Sequence, residues 1–436
     1  MKNNIFKKND IRGVVEEEFS IDDAGTIAKA IITYFLQKNK TISTVIVGMD
    51  RRTHSPQIKK TVIEAIIDMG VNVIDIGLCP TPVFYFSLFN IDKANSGFMI
   101  TASHNPKEYN GFKICLEQKS VWGKQIQEIK HLCYSNEFYQ KPHSKKGTIK
   151  KWNAVETYIN WLEQHFSHLK NLSIPAVIDC ESGTASIVIP KLIEKMNWET
   201  RNPLFRIDFD ADCDRISLIT KDGESVASDK LLAIYAKQVL LDNPEASVVF
   251  DIKSSQGLID ELKKMGAKDI ISPSGHSIIK DVMRKNNSLL AGELSGHFFF
   301  KHRYFGYDDG IYAMMRLFEI LHQTNKSLET LLSTFPPKVS SPEYRIACEE
   351  EKKETIVEDV KNYFINKTNA KTITIDGIRA QLDYGWGLVR ASNTQPVISL
   401  RFESDSEEGL QRIKNDFVKV LLPYFEEGFL KKELEC

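Results

Sequence analysis

Apolar and polar positions along the first hundred residues switch between a helical and an extended period. Ala24, Ile27, Ala28, Ile31 and Phe35 recur at helical spacing, and Ser20 followed by Asp23 resembles a capping box that opens this helix. An apolar strand is predicted over residues 44–47, then a helix from Ser55 that stops at Gly70. Further strands are predicted over 71–76 and, after the Pro80-Thr81-Pro82 break, over 97–100. That order implies parallel strands joined by crossover helices, an α/β layout. A Lys-rich stretch containing Pro and Gly, residues 140–151, reads as a linker. Beyond it an amphipathic helix near 155–166, a strand over 175–179 and a helix from Ser186 are predicted. A third block opens with a strand over 246–252 and ends near Pro336 and Pro337. The last block carries strands near 372–375, 387–389 and 397–402, then a helix from about Ser406 with Leu410, Ile413 and Phe417 on one face.

One stretch interrupts this apolar frame. Asp208, Asp210, Asp212 and Asp214 occupy alternate positions, and Arg215 closes the run. Phe205 and Ile207 before it, and Ile216, Leu218 and Ile219 after it, read as buried strand. If the loop is extended, period-two side chains share a face and the carboxylates converge. Converging carboxylates need a cation, and an all-oxygen donor set selects a hard ion such as Mg2+. A solvated acidic loop is the competing reading. The apolar frame favours the ion, and with it phosphate chemistry.

A chain of 436 residues suffices for roughly two to four domains. With 42% hydrophobic and 26% charged residues it has the composition of a globular protein. A net charge of −1 argues against a nucleic-acid partner, so any positive field must be local to a site. The seven cysteines are dispersed, without zinc-like spacing, as expected of reduced thiols in the cytoplasm. No signal-peptide-like or membrane-spanning apolar run is recognised.

Three polar segments are candidates for chemistry. Thr-Ala-Ser-His-Asn-Pro, 101–106, follows a predicted strand, where an α/β sheet places ligand loops. It offers Ser103 as a nucleophile beside His104, although the hexapeptide alone leans towards a turn closed by Pro106. Gly-Glu-Leu-Ser-Gly-His, 292–297, alternates Glu293, Ser295 and His297, and an extended loop would turn all three towards a polyhydroxylated ligand. A Gly-bounded turn explains that segment equally well. Arg390, Ser392, Asn393 and Thr394 suit a phosphate grip, since guanidinium supplies parallel donors and small neighbours expose backbone amides. A polar hairpin tip is the alternative there. Arg12, Lys113 and His276 are ordinary surface candidates when taken singly.

Together the segments DIRG, TASHNPKEYNGFKI, the acidic loop, GHSIIK, GELSGH and GWGLVRASNTQP with its RFES strand resemble the α-D-phosphohexomutase family, in its phosphomannomutase/phosphoglucomutase branch. The resemblance runs over nearly the whole chain. It implies three α/β mixed-sheet domains plus a C-terminal α+β domain around a central cleft, with the second domain trimmed. The boundaries expected are 1–145, 146–243, 244–338 and 339–436. It implies that Ser103 carries the phosphoryl group and that Asp210, Asp212 and Asp214, with the Ser103 phosphate, hold Mg2+. It implies that Glu293, Ser295 and His297 read the sugar hydroxyls, that Arg390, Ser392, Asn393 and Thr394 hold the distal phosphate, and that Arg12, Lys113, Arg215 and His276 line the cleft. The activity implied interconverts hexose 1- and 6-phosphates of mannose or glucose through a hexose 1,6-bisphosphate. Lys113, His104 and Glu293 are candidates for the base, with Lys113 preferred.

The chain departs from the family's pattern in four places. The glycines of the family's DGDGDR loop are Ala211 and Cys213 here, and glycine is commonly used where φ is positive. From Glu199-Thr200-Arg201-Asn202-Pro203 the chain passes directly into the acidic strand, where the family has a further strand–helix stretch. Asn9 and Met49 stand where an aromatic residue and an Arg are usual. These departures keep open a second reading, a paralogue that binds sugar phosphates with weak or no turnover.

Overall fold

The structure, a computed structural model, describes residues 1–139, 146–180, 183–392 and 396–436. The first unit contains strands β1 (Ile11–Val14), β2 (Thr44–Met49), β3 (Asn72–Leu78), β4 (Gly97–Ile100), β5 (Tyr109–Leu116), β6 (Lys119–Ser120) and β7 (Ile149–Lys151). Its helices are α1 (Ile21–Lys38), α2 (Ser55–Asp68), α3 (Thr81–Asn90) and α4 (Lys124–Ser135). The sheet order is β1-β5-β4-β2-β3-β7, with β6 on β5, and it is mixed: β2, β3, β4 and β7 run parallel and β5 returns antiparallel. Period two divides the strands between two cores. Val45, Val47, Phe98 and Ile100 pack with α1, α2 and α4, while Ile46 and Met99 face α3 and the neighbouring units.

Two expectations are corrected here. Residues 149–151 are not linker but an edge strand, parallel to β3, whose exposed lysines keep that edge soluble. Residues 140–145 of the same stretch lie outside the described residues. The Pro80-Thr81-Pro82 break is the start of α3, which sequence periodicity did not reveal. Val83, Phe84, Tyr85, Phe86 and Leu88 are all buried, because α3 is sandwiched between the first sheet and the aromatic rings of Tyr158 and Trp161. A helix covered on every side has no polar face to betray its period.

The second unit holds α5 (Ala154–His165), β8 (Ser173–Asp179), α6 (Ala185–Met196), β9 (Glu199–Phe209), β10 (Ile216–Thr220) and β11 (Ser225–Val226), in the sheet order β11-β10-β9-β8. The register of β8 on β9 jumps across Pro175. Ile174 pairs with Thr200, but Ala176 pairs with Phe205, so residues 201–204 bulge into solvent. Ile178, Ile207 and Leu218 turn inwards, whereas Val177 and Arg206 on the opposite face are exposed.

The third unit comprises α7 (Ser228–Asp242), β12 (Ser247–Asp251), α8 (Gln256–Lys264), β13 (Lys268–Ser272), α9 (His276–Asn286), β14 (Leu290–Gly292), β15 (Phe298–Phe300), α10 (Gly310–Thr324) and α11 (Leu328–Leu332), with sheet order β13-β12-β14-β15. α7 lies on this sheet: Tyr235 packs edge-on against Phe298 and Phe300. The 243/244 boundary therefore separates a helix from the sheet it covers.

The fourth unit is an antiparallel sheet backed by α12 (Lys353–Lys367), α13 (Glu407–Leu421) and α14 (Glu427–Glu433). Its strands are β16 (Val339–Ser340), β17 (Tyr344–Ala347), β18 (Lys371–Ile373), β19 (Ile378–Leu382), β20 (Gly385–Ala391) and β21 (Val397–Ser404). It grips the third unit through polar side chains. Buried Arg379 donates to the carbonyls of Ile252 (3.1 Å) and Ser254 (2.6 Å) and lies 3.8 Å from the Trp386 ring, while Gln256 N donates to Glu403. Among the described residues no helix is long and apolar enough to cross a membrane.

Candidate active site

The acidic loop connects β9 to β10 as a tight turn, not as an extended segment, and this corrects the convergence argument. Asp208 is still within β9 and pairs with Arg206. Beyond Phe209 the backbone turns, and Cys213 takes a left-handed φ of 63°. That turn folds Asp210, Asp212 and Asp214 together, with ligand oxygens within 4.8 Å of one another. Of the two family glycine positions only Cys213 is left-handed; Ala211 is not among the residues of positive φ. The Cys213 thiol is buried against Thr184. The N-terminus of α3 anchors the loop: Thr81 Oγ1 donates to Asp212 Oδ2 at 2.6 Å, and Thr81 N to Asp212 O at 2.9 Å.

Lys113 reaches in from β5 and pairs with Asp212 (2.8 Å) and Asp214. Burial works against its charge, but the two carboxylates outweigh burial and hold the ammonium well above its ordinary value. In this arrangement Lys113 keeps its proton, so it serves here as a cation and not as the base preferred from its type. Burial and the neighbouring Asp214 and Asp212 push Asp210 well above the carboxylate range. Burial also acts on Asp214, yet Lys113, His297 and Arg215 hold it well below that range.

Ser103 lies at the end of β4 with φ of 51°, a conformation that costs an L-residue about 1–3 kcal/mol and persists only when the surroundings impose it. Arg52 imposes it. Its guanidinium donates to the carbonyls of Ser103 (2.6 Å), Asn105 (2.6 Å), Pro106 (2.5 Å) and Tyr109 (3.0 Å), and Asp50 holds Arg52 in turn. The Ser103 hydroxyl is thereby aimed across the cleft, 3.2 Å from Asp210 Oδ2 and 3.3 Å from His104 Nδ1. Burial, then Arg215 and Arg12, depress His104 to about 3, so its imidazole is neutral and a weak base. Arg12, on β1, pairs with Asp10 and donates to Asn105 Oδ1 at 2.7 Å.

Residues 293–297 form the hairpin turn between β14 and β15, again not an extended loop. Ser295 is exposed, while Glu293 and His297 are buried and joined, His297 Nδ1 lying 2.9 Å from Glu293 Oε2. Gly296 (φ 93°) makes this possible, since a Cβ there would meet Ile216 O at 2.7 Å where the hairpin crosses the acidic loop. Burial opposes the His297 charge, but Asp214 and Glu293 outweigh it and raise the imidazole to about 9. Burial would raise Glu293, yet His297 and Lys253 bring it to about 2, too low for an effective base at neutral pH. Asp308, not singled out in the sequence, is fully buried behind these groups. It accepts from Lys280 Nζ at 2.8 Å and lies 3.4 Å from His276 Nδ1. Its only signal is the Tyr307-Asp308-Asp309-Gly310 run, which reads as a helix start.

Arg390, near the end of β20, is buried and pairs with Asp376 at 2.9 Å. Asp376 also accepts from Ser274 N at 3.0 Å, which ties the fourth unit to the loop before His276. Ser392 extends from β20 towards the tip, where its N–H donates to Val397 O. Asn393 and Thr394 lie outside the described residues.

Asp210, Asp212 and Asp214 fit a divalent cation. Their donors are all oxygen, and Asp212 Oδ1 is buried without a hydrogen-bond partner. A second close group, Asp214, His297 and Asp308, fits less well, because both His297 nitrogens already face carboxylates.

Three α/β units and an α+β unit, turning their loops into one cleft, form the architecture of a sugar-phosphate mutase. Residues 3–140 match phosphoglucomutase/phosphomannomutase alpha/beta/alpha domain I, residues 227–339 match domain III and residues 343–420 the C-terminal domain. The chain belongs to this family, the α-D-phosphohexomutases, and is a phosphoryl-transferring enzyme. It is 36% identical to a phosphomannomutase/phosphoglucomutase of Pseudomonas syringae pv. tomato, over 95% of this chain and 94% of that one. It is 34% identical to a phosphoglucomutase of Neisseria meningitidis serogroup A, over 96% of both. A crystal structure of a family protein from Burkholderia thailandensis superposes with a TM-score of 0.88 at 29% identity, covering 97% of this chain and 98% of that one. The Pseudomonas alignment spans 446 residues, more than the 436 of this chain although it uses only 95% of them, so that relative carries residues absent here.

Proposed function

We propose that the chain interconverts the 1- and 6-phosphates of mannose or glucose through phospho-Ser103 and a hexose 1,6-bisphosphate. The carrying observation is the strained Ser103 hydroxyl 3.2 Å from Asp210 Oδ2, inside a cluster of three carboxylates. In this reading phospho-Ser103 passes its phosphoryl group to a free hydroxyl of the hexose phosphate. The bisphosphate reorients, and its other phosphoryl group returns to Ser103 Oγ. Asp210, Asp212, Asp214 and an oxygen on Ser103 would hold Mg2+, which neutralises charge on the transferring group. Arg12 and Arg215 add fixed positive charge beside Ser103. His297, protonated at neutral pH and paired with Asp214 and Glu293, adds fixed positive charge behind the carboxylates. The proton on Lys113 is held by two of the carboxylates that would bind the cation, so the basicity of Lys113 follows their charge. Glu293, Ser295 and His276 would face the sugar, and Arg390 with Ser392, Asn393 and Thr394 the phosphate not reacting.

The reading includes a cytoplasmic location, supported by seven unpaired cysteines, and soluble sugar phosphates as partners, with no nucleic acid or membrane. A binding protein without turnover is not favoured, because the relatives matched over nearly their whole length are named as mutases. The test supplies glucose 1-phosphate or mannose 1-phosphate, Mg2+ and a trace of the 1,6-bisphosphate. Formation of the 6-phosphate, abolished in Ser103→Ala, is the expected result. No product from protein shown to be phosphorylated on Ser103 would overturn it.

A further inference from the structure

Behind the catalytic cleft, the first and third units enclose a second cavity of about 250 Å³. None of the cleft groups named above as touching phosphate or sugar lines it. Four rings, Phe89, Trp122, Phe305 and Tyr307, form its apolar walls. Phe305 and Tyr307 are parallel within 5°, and Phe89 lies against Phe305 with centroids 4.9 Å apart at a tilt of 26°, so two of the rings share one orientation. Cations outnumber acids around them. Lys119 and Lys301 line the cavity with no ion pair among the described residues, against Glu117, while Arg284 is paired with Asp281 at 2.5 Å and the Lys280 ammonium with Asp308. The rim is the two-residue turn between β5 and β6, where Glu117 (φ 49°) and Gln118 (φ 66°) are both left-handed without being glycine. Such turns normally use Asn-Gly, and strain of this kind persists where surrounding contacts enforce it, here by Gln118 Nε2 donating to Leu88 O at 3.0 Å.

α9 connects this cavity to the cleft. His276 begins the helix, and Lys280 and Arg284 follow at four-residue intervals on the same face. The stem of Lys280 lines the cavity, and its ammonium reaches Asp308, which faces His276.

We propose that the cavity is a second ligand site for a small planar-ring anion, and that its occupancy is coupled to the cleft through Lys280. Flat aromatic walls select a ring by stacking, the cationic excess selects a carboxylate or phosphate on it, and the volume limits the ring to about one or two fused cycles. The coupling half rests on the sugar-phosphate reading of the cleft. The ligand half does not, so the two fail separately.

Calorimetry with indole-3-acetate and with adenosine 5′-monophosphate tests the ligand half, with indole and adenosine as neutral controls. Saturating glucose 1-phosphate fills the cleft, so that a phosphate-bearing probe reports only the second site. At least one anion is expected to bind more tightly than its neutral counterpart, and Trp122→Ala and Arg284→Glu should each weaken it about tenfold, the effect of one lost stacking or charge-assisted contact. Neither substitution touches the cleft, so both variants should keep basal turnover. Failure of both anions to bind, or unchanged affinity in both variants, overturns the site. Coupling is read by repeating the titration of the phosphate-free probe, indole-3-acetate, without glucose 1-phosphate: linkage demands that the probe's affinity and the sugar phosphate's shift by the same factor. Equal probe affinity in the two titrations overturns the coupling.

Discussion

Cys213 shows what a single position can impose on a site. The turn that gathers Asp210, Asp212 and Asp214 needs one left-handed residue, and the chain places a buried cysteine there. An L-residue in that conformation costs about 1–2 kcal/mol. Cys213→Gly removes the strain but also the buried thiol, so its melting temperature should stay close to that of the parent. Cys213→Val adds a β-branched side chain to a left-handed backbone and should cost about 1–3 kcal/mol in denaturant unfolding. Equal stability of the two variants would show that φ at this residue does not limit the turn. Residue identities along the site were readable in the sequence, because motifs are strings of residue types. Their ionisation was not. Lys113, His104 and Glu293 all suit a base by type, yet the structure leaves each with a proton affinity far from neutral.

At the scale of elements, local signals served well where local forces decide. The Ser20–Asp23 capping box is formed as expected, and Ser406 caps α13. The failures were α3, buried all round, β7, whose lysines read as linker, and the two site loops, whose alternating residues suggested extended chain but which close as turns. α10 adds a cap that carries a charge question. Its N-cap Asp309 is buried and accepts from Tyr158, Tyr304 and the Tyr312 N–H. Burial outweighs these bonds and raises Asp309 to about 7, from an ordinary 3.8. A carboxyl raised in the folded state contributes stability below its unfolded value and loses it as pH rises through the folded one. The stability of the parent relative to Asp309→Asn, a cap without this titration, should therefore fall between about pH 4 and pH 7. Melting temperatures of both proteins across that range provide the check; parallel curves would mean that Asp309 stays ionised.

At the scale of the whole molecule, the cleft depends on the fourth unit holding its place on the third. The contact between them joins a small apolar cluster of Ile252, Trp386 and Leu388 to the polar bonds of Arg379 and Gln256. Arg379→Met would leave the Ile252 and Ser254 carbonyls without their charged donor, at a cost of about 1.5–3 kcal/mol. The expected outcome is a lower melting temperature together with a larger radius of gyration in solution scattering. A variant as compact and as stable as the parent would show that other contacts hold the unit.

The α/β class, the helices and strands with a clear period or cap, and the residue types of the site were settled by the sequence alone, because periodicity, caps and motifs act over a few neighbouring residues. Which carboxylates converge was decided by tertiary structure. Asp208 resembles the other three in spacing but remains in a strand, while Thr81, 131 positions from Asp212, and Lys113, 99 positions from it, hold the rest. Arg52 and Asp308 entered the site in the same way. Contacts between residues so distant in the chain leave no periodic trace in it, and burial, which sets their charge, exists only once the units have packed.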